Sequence, residues 1–252
     1  MIPYKDENPA ELTPVVTVGI ILVNVLVWLF VQGAGGNDAA LAASVCQLGL
    51  IPGELLRTVA PGTAVPLGAG LHCLISAEPH WSTVLTSMFT HGGWIHLLGN
   101  MWFLWVFGNN IEDAMGHARF VVFYLVCGVI AALTQMLVAP NSAVPMVGAS
   151  GAISGVMGAY VLLFPRVRVH TLVWLGFFVT TVTLPAYVML GYWFFYQLLL
   201  GTVGALAQVE GGTAFWAHVG GFLAGMALIR LFASSDYLER HRGGALILPR
   251  GV

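Results

Sequence analysis

The sequence predicts an all-α, polytopic membrane protein with six transmembrane helices. Of its 252 residues, 58% are hydrophobic and only 8% are charged, and the mean hydropathy is +0.86. A soluble domain carries about 25% charged residues, so this composition places the chain in a lipid bilayer. The net charge of -2 offers no basic surface for nucleic acid, and we expect no such partner.

Six apolar segments approach the length of about 20 residues that a spanning helix needs. Their bounds are close to 15–31, 94–111, 120–138, 150–164, 185–204 and 215–232. A long connection follows the first helix. Because 169–206 is too long for one span, we interpret 169–184, which is rich in Val, Thr and Phe, as extended or partly inserted. Pro185 then stands in the first turn of the fifth helix, where proline is favoured.

Basic residues indicate the orientation, because Lys and Arg are enriched on the cytoplasmic side of a membrane. Arg119, Arg166 and Arg168 follow the second and fourth helices, and further arginines follow the sixth. The opposite connections contain only Arg57. We therefore expect one membrane domain over 1–252, with cytoplasmic tails at 1–14 and 234–252, in the plasma (inner) membrane of a prokaryote.

Four residues of the kinds found in active sites lie inside the predicted helices: His96, Asn100, Ser150 and His218. Polar side chains in hydrocarbon are costly and usually functional. At a rise of about 1.5 Å per residue, His96, Ser150 and His218 lie roughly 24, 22 and 18 Å above the lower ends of their helices. Three separate helices therefore bring them to a similar level in the outer half of the bilayer.

These residue types are the ones that acyl transfer requires. A serine hydroxyl needs a neighbouring base, most often histidine, so Ser150 and His218 predict a nucleophile–base dyad. His96 and Asn100 are four residues apart on one helix face. Their side-chain N–H groups, together with the backbone N–H of Ser150, could stabilise an oxyanion.

Small residues predict that the fourth and sixth helices touch. Gly151 and Gly155 are four residues apart, as are Gly221 and Gly225, and such spacing allows helix backbones to approach closely in membranes. The Gly148-x-Ser-Gly motif would by itself usually indicate packing alone.

Other functions account less well for these residues. A proton channel or transporter would show an internal repeat or carboxylates inside its helices, whereas Glu112 and Asp113 stand at a helix end. His91 and His96 are five residues apart, which is poor spacing for a metal pair, so we expect no metal and no cofactor. Cys46 and Cys73 in the long connection are compatible with a disulfide or with two free thiols.

Three motifs together resemble the rhomboid family of intramembrane serine proteases. They are the histidine-rich segment from His91 to Asn100, the segment Gly148-Ala149-Ser150-Gly151, and the segment Ala217-His218-Val219-Gly220-Gly221. The resemblance covers about 81–225. One departure is that Trp81 is followed by Ser82 and not by the Arg found in many members. This departure concerns the anchoring of the loop and not the chemistry.

The resemblance implies a rhomboid-like bundle that cleaves transmembrane protein substrates, with Ser150 as nucleophile and His218 as base. It places His96 and Asn100 at the oxyanion hole. It also implies a partly embedded loop after the first helix and a lateral gate on the fifth helix, formed by Trp193, Phe194 and Gln197. The alternative is a catalytically silent relative that binds membrane clients, against which the intact Ser–His pair argues. The sequence gives no sign of an oligomeric state.

Overall fold

The computed structural model describes residues 1–68, 70–207, 213–235 and 237, and most of the expected C-terminal tail lies outside these ranges. The described chain is mainly helical. Its helices are α1 (Val15–Leu26, continued by a π-helical turn, Val27–Val31), α2 (Asp38–Leu48), α3 (Pro52–Leu55), α4 (Thr83–Thr86), α5 (Trp94–Met115), α6 (His117–Val138), α7 (Ser150–Leu163), α8 (Ala186–Leu206) and α9 (Phe215–Phe232). Its strands are β1 (Ile2–Asp6), β2 (Ala64–Gly68), β3 (Leu71–Leu74), β4 (Arg168–Leu175) and β5 (Phe178–Pro185).

All six predicted transmembrane segments are helices, with bounds close to the expected ones. Within the described part of the chain, three of them, α6, α8 and α9, are long and apolar enough to cross a membrane. Two others, α1 with its π-helical turn and α7, are apolar but shorter. α5 is as long as α6, but its histidine, asparagine and acidic side chains lower its hydropathy. The chain is therefore an integral membrane protein, and the count of six spans stays a prediction.

The expectation of an all-α chain is only partly met, because the described part of the mainly helical chain also contains two small antiparallel sheets. β4 and β5 form an antiparallel hairpin that turns at Gly176, which has a φ of +63°. The hairpin confirms the extended interpretation of 169–184, and its Val- and Thr-rich sequence suits a strand. β1 pairs antiparallel with β4 as the third strand.

The N-terminal segment, expected as a tail, is held against the bundle. The indole N–H of Trp102 in α5 donates to the carbonyl oxygen of Pro3. The Asp6 carboxylate accepts from the Asn110 side chain at 2.8 Å and from the Tyr160 hydroxyl. Burial raises the pKa of the Asp6 carboxyl.

A buried carboxylate fixes the start of α1 to the end of α5. Glu112 is fully buried and accepts from the Thr17 backbone N–H and from its hydroxyl, both at 2.7 Å, and from the Val16 N–H at 2.9 Å. Asp113 accepts from the N–H groups of Glu11 and Leu12. These backbone groups at a helix N-terminus lack partners within the helix, and a negative charge there is favourable. The two acidic side chains of α5 therefore bind the start of α1 and the segment before it.

The long connection after α1 folds around a small core of its own. β2 and β3 form an antiparallel hairpin, and Ile51, Val65 and Ile75 pack beside Cys73. Cys46 of α2 and Cys73 of β3 form a disulfide, with their Cα atoms 5.4 Å apart. An antiparallel bridge between Leu50 and Met146 joins this connection to the segment before α7.

We expect alkylation to count this disulfide directly. Cys127 is the remaining cysteine of the chain and is a free thiol. Denatured, unreduced protein should take up one alkyl group, and reduced protein should take up three, as read by mass spectrometry. A bridge of this type typically contributes about 2–4 kcal/mol, so a Cys46→Ala/Cys73→Ala variant should unfold at a lower temperature than wild type. Three reactive thiols before reduction would contradict the bridge.

Glycines let α7 and α9 cross in direct backbone contact. A Cβ on Gly225 would overlap the carbonyl oxygen of Gly155, and one on Gly221 would overlap that of Gly151. Gly158 meets the backbone of Phe222 in the same way. The predicted contact between the fourth and sixth helices is confirmed, and it sets the distance between their first turns.

Candidate active site

Ser150 is the first residue of α7, and the loop before it is shaped by Gly148. Gly148 has a φ of +119° and donates its N–H to the Ser87 carbonyl at 2.8 Å. A Cβ on Gly148 would lie 2.7 Å from the His96 ring, so a side chain there would clash as well as strain the backbone. In the first turn of a helix the Ser150 N–H has no partner within the helix, and it remains available to a substrate.

The serine and the second histidine form a hydrogen-bonded pair. Ser150 Oγ is 2.7 Å from His218 Nε2. His218 lies in the first turn of α9 and is 8% exposed. A built Cβ on Gly151 would lie 2.7 Å from the Cβ of Ala131 in α6, so this glycine keeps α7 close to α6. The Ser150 and His218 motifs, which the sequence predicts to lie at a similar depth, are therefore within hydrogen-bonding distance of each other.

A third side chain completes the contacts of the imidazole, and sequence reasoning missed its role. Gln197 of α8 is buried, and its Oε1 is 2.8 Å from His218 Nδ1. The resemblance implied only a place on a gate for this residue. The signal that could have revealed it was a glutamine within an apolar helix, since such groups usually have a polar partner.

The other two expected gate residues pack against α9. The ring of Trp193 stacks on Phe222 with centroids 6.2 Å apart, and it lies 5.7 Å from the ring of His218. Phe194 also contacts Phe222, at a centroid distance of 4.8 Å. Trp193 therefore contacts both Phe222 and the imidazole, whereas Phe194 contacts Phe222.

His96 of α5 faces the same place as the serine. Its Nδ1 accepts from the Gly92 N–H at 3.3 Å, which leaves the proton of the neutral ring on Nε2. A Cβ built on Gly148 would be 2.7 Å from this Nε2 and 3.7 Å from Ser150 Oγ, so both groups border the space beside Gly148. His96 can therefore donate a hydrogen bond next to the serine.

Asn100 is not brought to this space with the others. Its amide nitrogen donates to the His96 carbonyl at 2.8 Å, one turn back along α5. Asn100 does not line the cavity that opens beside Ser150, as far as the described residues show. Its Oδ1 is buried and has no hydrogen-bond partner among the described residues. Asn100 lies one turn after His96 on the same helix, and its amide nitrogen points back to the backbone of that turn.

Gln32, directly after the π-helical turn of α1, holds the segment before α5 through two hydrogen bonds, which the sequence did not indicate. Gln32 accepts from the His91 N–H at 2.8 Å and donates to the His91 carbonyl at 2.7 Å. The His91 ring is fully buried and meets the His96 ring edge-on, with centroids 5.2 Å apart. The position of His96 therefore depends on the end of α1.

His96, Ser150 and His218 border an open cavity of about 840 Å³. Its walls come from α5, α6, α7, α9 and the loop before α7, and its polar side chains include His96, Ser150 and His218. Within 1–68, 70–207, 213–235 and 237, no three His, Cys, Asp or Glu side chains come close enough to hold a metal ion. The arrangement offers a hydroxyl, a base and hydrogen-bond donors around one space.

The sequence matches the Rhomboid domain over residues 78–235. The chain belongs to the rhomboid family. Rhomboid protease GluP of Bacillus subtilis (strain 168) is 30% identical over 166 residues, which is 66% of this chain and 29% of that protein. RHOMBOID-like protein 5 of Arabidopsis thaliana is 27% identical over 201 residues, 76% of this chain and 60% of the relative.

A third rhomboid relative is more similar over a shorter stretch. Rhomboid-like protein 11, chloroplastic, of Arabidopsis thaliana is 41% identical over 85 residues, 34% of this chain and 30% of that protein. This rhomboid chain thus spans about a third of the length of two of these relatives and 60% of the other.

Proposed function

We propose that this rhomboid is a serine endopeptidase that cleaves transmembrane proteins in the outer half of the bilayer. The observation that carries the proposal is the 2.7 Å contact between Ser150 Oγ and His218 Nε2 at the wall of an open cavity. The match to the Rhomboid domain and the likeness to a relative named as a protease support it further. A pair with this geometry activates a serine for attack on an amide.

The residues divide the reaction between them. As Ser150 Oγ bonds to the substrate carbonyl carbon, its proton passes to His218 Nε2. The negative carbonyl oxygen accepts hydrogen bonds from the Ser150 N–H and from His96 Nε2–H, while Asn100 holds the turn of α5 that carries His96. His218 then protonates the leaving amine. Water attacks the acyl-enzyme with His218 again as base, and Ser150 recovers its proton.

The topology that fits this function has six spans with both termini cytoplasmic. The arginines after α5, α7 and α9 support this orientation. Ser150 and His218 would then open towards the outer face, from which water enters. The connection after α1 would lie partly embedded beside the cavity.

Substrate helices would arrive from the lipid past α8, the proposed lateral gate. Of the three helices long enough to span, α8 is the least buried inside the protein. Trp193 and Phe194 attach it to α9 through Phe222. Motion of such elements often limits turnover.

A fluorophosphonate probe and a reporter substrate test the proposed function together. We expect purified wild-type protein to be labelled on Ser150 and, on co-expression, to cleave a reporter with a single transmembrane helix. Ser150→Ala protein should do neither. Wild-type protein that folds and binds membrane proteins but is not labelled would identify a silent relative and would refute the proposal.

We expect His96→Ala to slow the protease without stopping it. Loss of one oxyanion donor costs about 10²–10³ in rate, and the Ser150 N–H remains. The measurement is kcat on the transmembrane reporter substrate. His72→Ala is the control, because His72 lies in β3, in the connection after α1, and does not line the cavity. A His96→Ala protein with the wild-type kcat would remove this residue from the mechanism.

A further inference from the structure

Gln197 gives the imidazole of His218 a partner on the side away from the serine. Ser150 occupies Nε2 at 2.7 Å and Gln197 occupies Nδ1 at 2.8 Å. The four most buried carboxylates among the described residues are engaged elsewhere: Asp6 and Asp113 at the N-terminal segment, Glu54 with the Ser76 N–H, and Glu112 at α1. The amide of α8 therefore stands where a carboxylate often stands beside a catalytic histidine.

An amide oxygen accepts a hydrogen bond and cannot donate one. With Gln197 Oε1 facing Nδ1, the proton of the neutral imidazole resides on Nδ1, and the lone pair of Nε2 faces Ser150 Oγ. When Nε2 takes the serine proton, Nδ1–H keeps its bond to Gln197, and the proton on Nε2 is later delivered to the leaving amine. A neutral amide achieves this without the cost of burying a charge.

Gln197 lies on α8, one turn from Trp193, whose ring also contacts His218. Movement of α8 away from α9 would withdraw both contacts from the imidazole. We propose that Gln197 is a positioning residue that fixes the tautomer of His218, so that the base is set only while α8 is packed against α9. This inference rests on the proposed function, and it joins entry past α8 to the chemistry at Ser150.

The test compares two substitutions that differ in the acceptor atom. Gln197→Met keeps an unbranched side chain of similar length but has no oxygen, and Gln197→Glu keeps an oxygen in the same place. Gln135→Met is the matched control, because Gln135 also contacts the start of α9, through the Ala217 N–H at 3.2 Å. The readouts are the rate of fluorophosphonate labelling in detergent, kcat and KM on the reporter, and the unfolding temperature.

We expect Gln197→Met to be labelled about 10-fold more slowly than wild type, with kcat reduced similarly and KM unchanged, the effect of about one neutral hydrogen bond. Gln197→Glu should recover most of this rate, and Gln135→Met should behave as wild type. A small probe needs no movement of α8 to enter, so a residue that only gates substrates would leave labelling unchanged. Gln197→Leu provides a second variant without an acceptor if the methionine variant unfolds more readily.

The outcomes separate the two proposals. Wild-type protein that is never labelled would overturn the proposed function and this inference with it. Active wild-type protein together with a Gln197→Met variant labelled at the same rate would overturn the positioning role alone. A Gln197→Glu variant that is as slow as Gln197→Met at an equal unfolding temperature would also overturn it, because the oxygen acceptor would then not contribute to the rate.

Discussion

We expect the Ser150→Ala and His218→Ala proteins each to cleave the reporter at least about 10⁴-fold more slowly than wild type. The double variant should be no slower than either single variant. Both side chains belong to one hydrogen-bonded unit, so removal of either one abolishes the same activated oxygen. The alanine at position 150 removes only the hydroxyl, and the contact between α7 and α9 is made by glycines and is preserved.

The measurement is single-turnover cleavage of the reporter by folded protein. Ser154→Ala is the matched control: Ser154 lies one turn further along α7, and its hydroxyl is committed to the Ser150 carbonyl at 2.6 Å. It should stay close to wild type. A double variant clearly slower than both single variants would show that Ser150 and His218 act independently, against the dyad.

Gly225→Ala is expected to cost about 3 kcal/mol of stability or more and to remove activity. Overpacking of a core usually costs about 1–3 kcal/mol when side chains can adjust. Here the added methyl group meets the carbonyl oxygen of Gly155, which is backbone and cannot rotate away. α7 and α9 would have to separate, and the bond between Ser150 and His218 would lengthen with them.

Gly191→Ala supplies the comparison for this change. Gly191 is also inside a helix, but no atom lies within 4 Å of a Cβ built there. Alanine favours a helix over glycine by about 0.5–1 kcal/mol, so this variant should unfold at the wild-type temperature or above it. Thermal unfolding in detergent, followed by probe labelling, measures both. Equal unfolding temperatures for the two variants would contradict the close crossing of α7 and α9.

Much of the site could be predicted because its residues stand near the starts of helices. Ser150 begins α7, His218 lies in the first turn of α9, and the glycines that follow them allow these helices to touch, so depth and spacing sufficed to pair them. Gln197 could not be paired in the same way, since its partner depends on how α8 rotates against α9. Asn100 shares a helix face with His96, yet its amide nitrogen donates to the His96 backbone carbonyl.

The strands were only partly predictable, for a related reason. The composition of β4 and β5 favours extended structure locally, whereas β1 has no pattern of its own and becomes a strand because β4 offers an open edge. The hydrogen bonds between Gln32 and His91 likewise join groups 59 residues apart. Contacts between residues so far apart in the chain depend on how the helices pack, and local sequence patterns do not predict them.

The pairing of β1 with β4 constrains when this sheet can assemble during synthesis of the chain. Ile2 pairs with Leu172, so the first strand leaves the ribosome about 170 residues before its partner. At about 5–20 residues per second, that interval lasts roughly 8–35 s. Throughout it β1 lacks its neighbour while α1, α5, α6 and α7 are being synthesised. Assembly of the β1–β4–β5 sheet is therefore a late event in biogenesis, which only a nascent chain synthesised past β5 can complete.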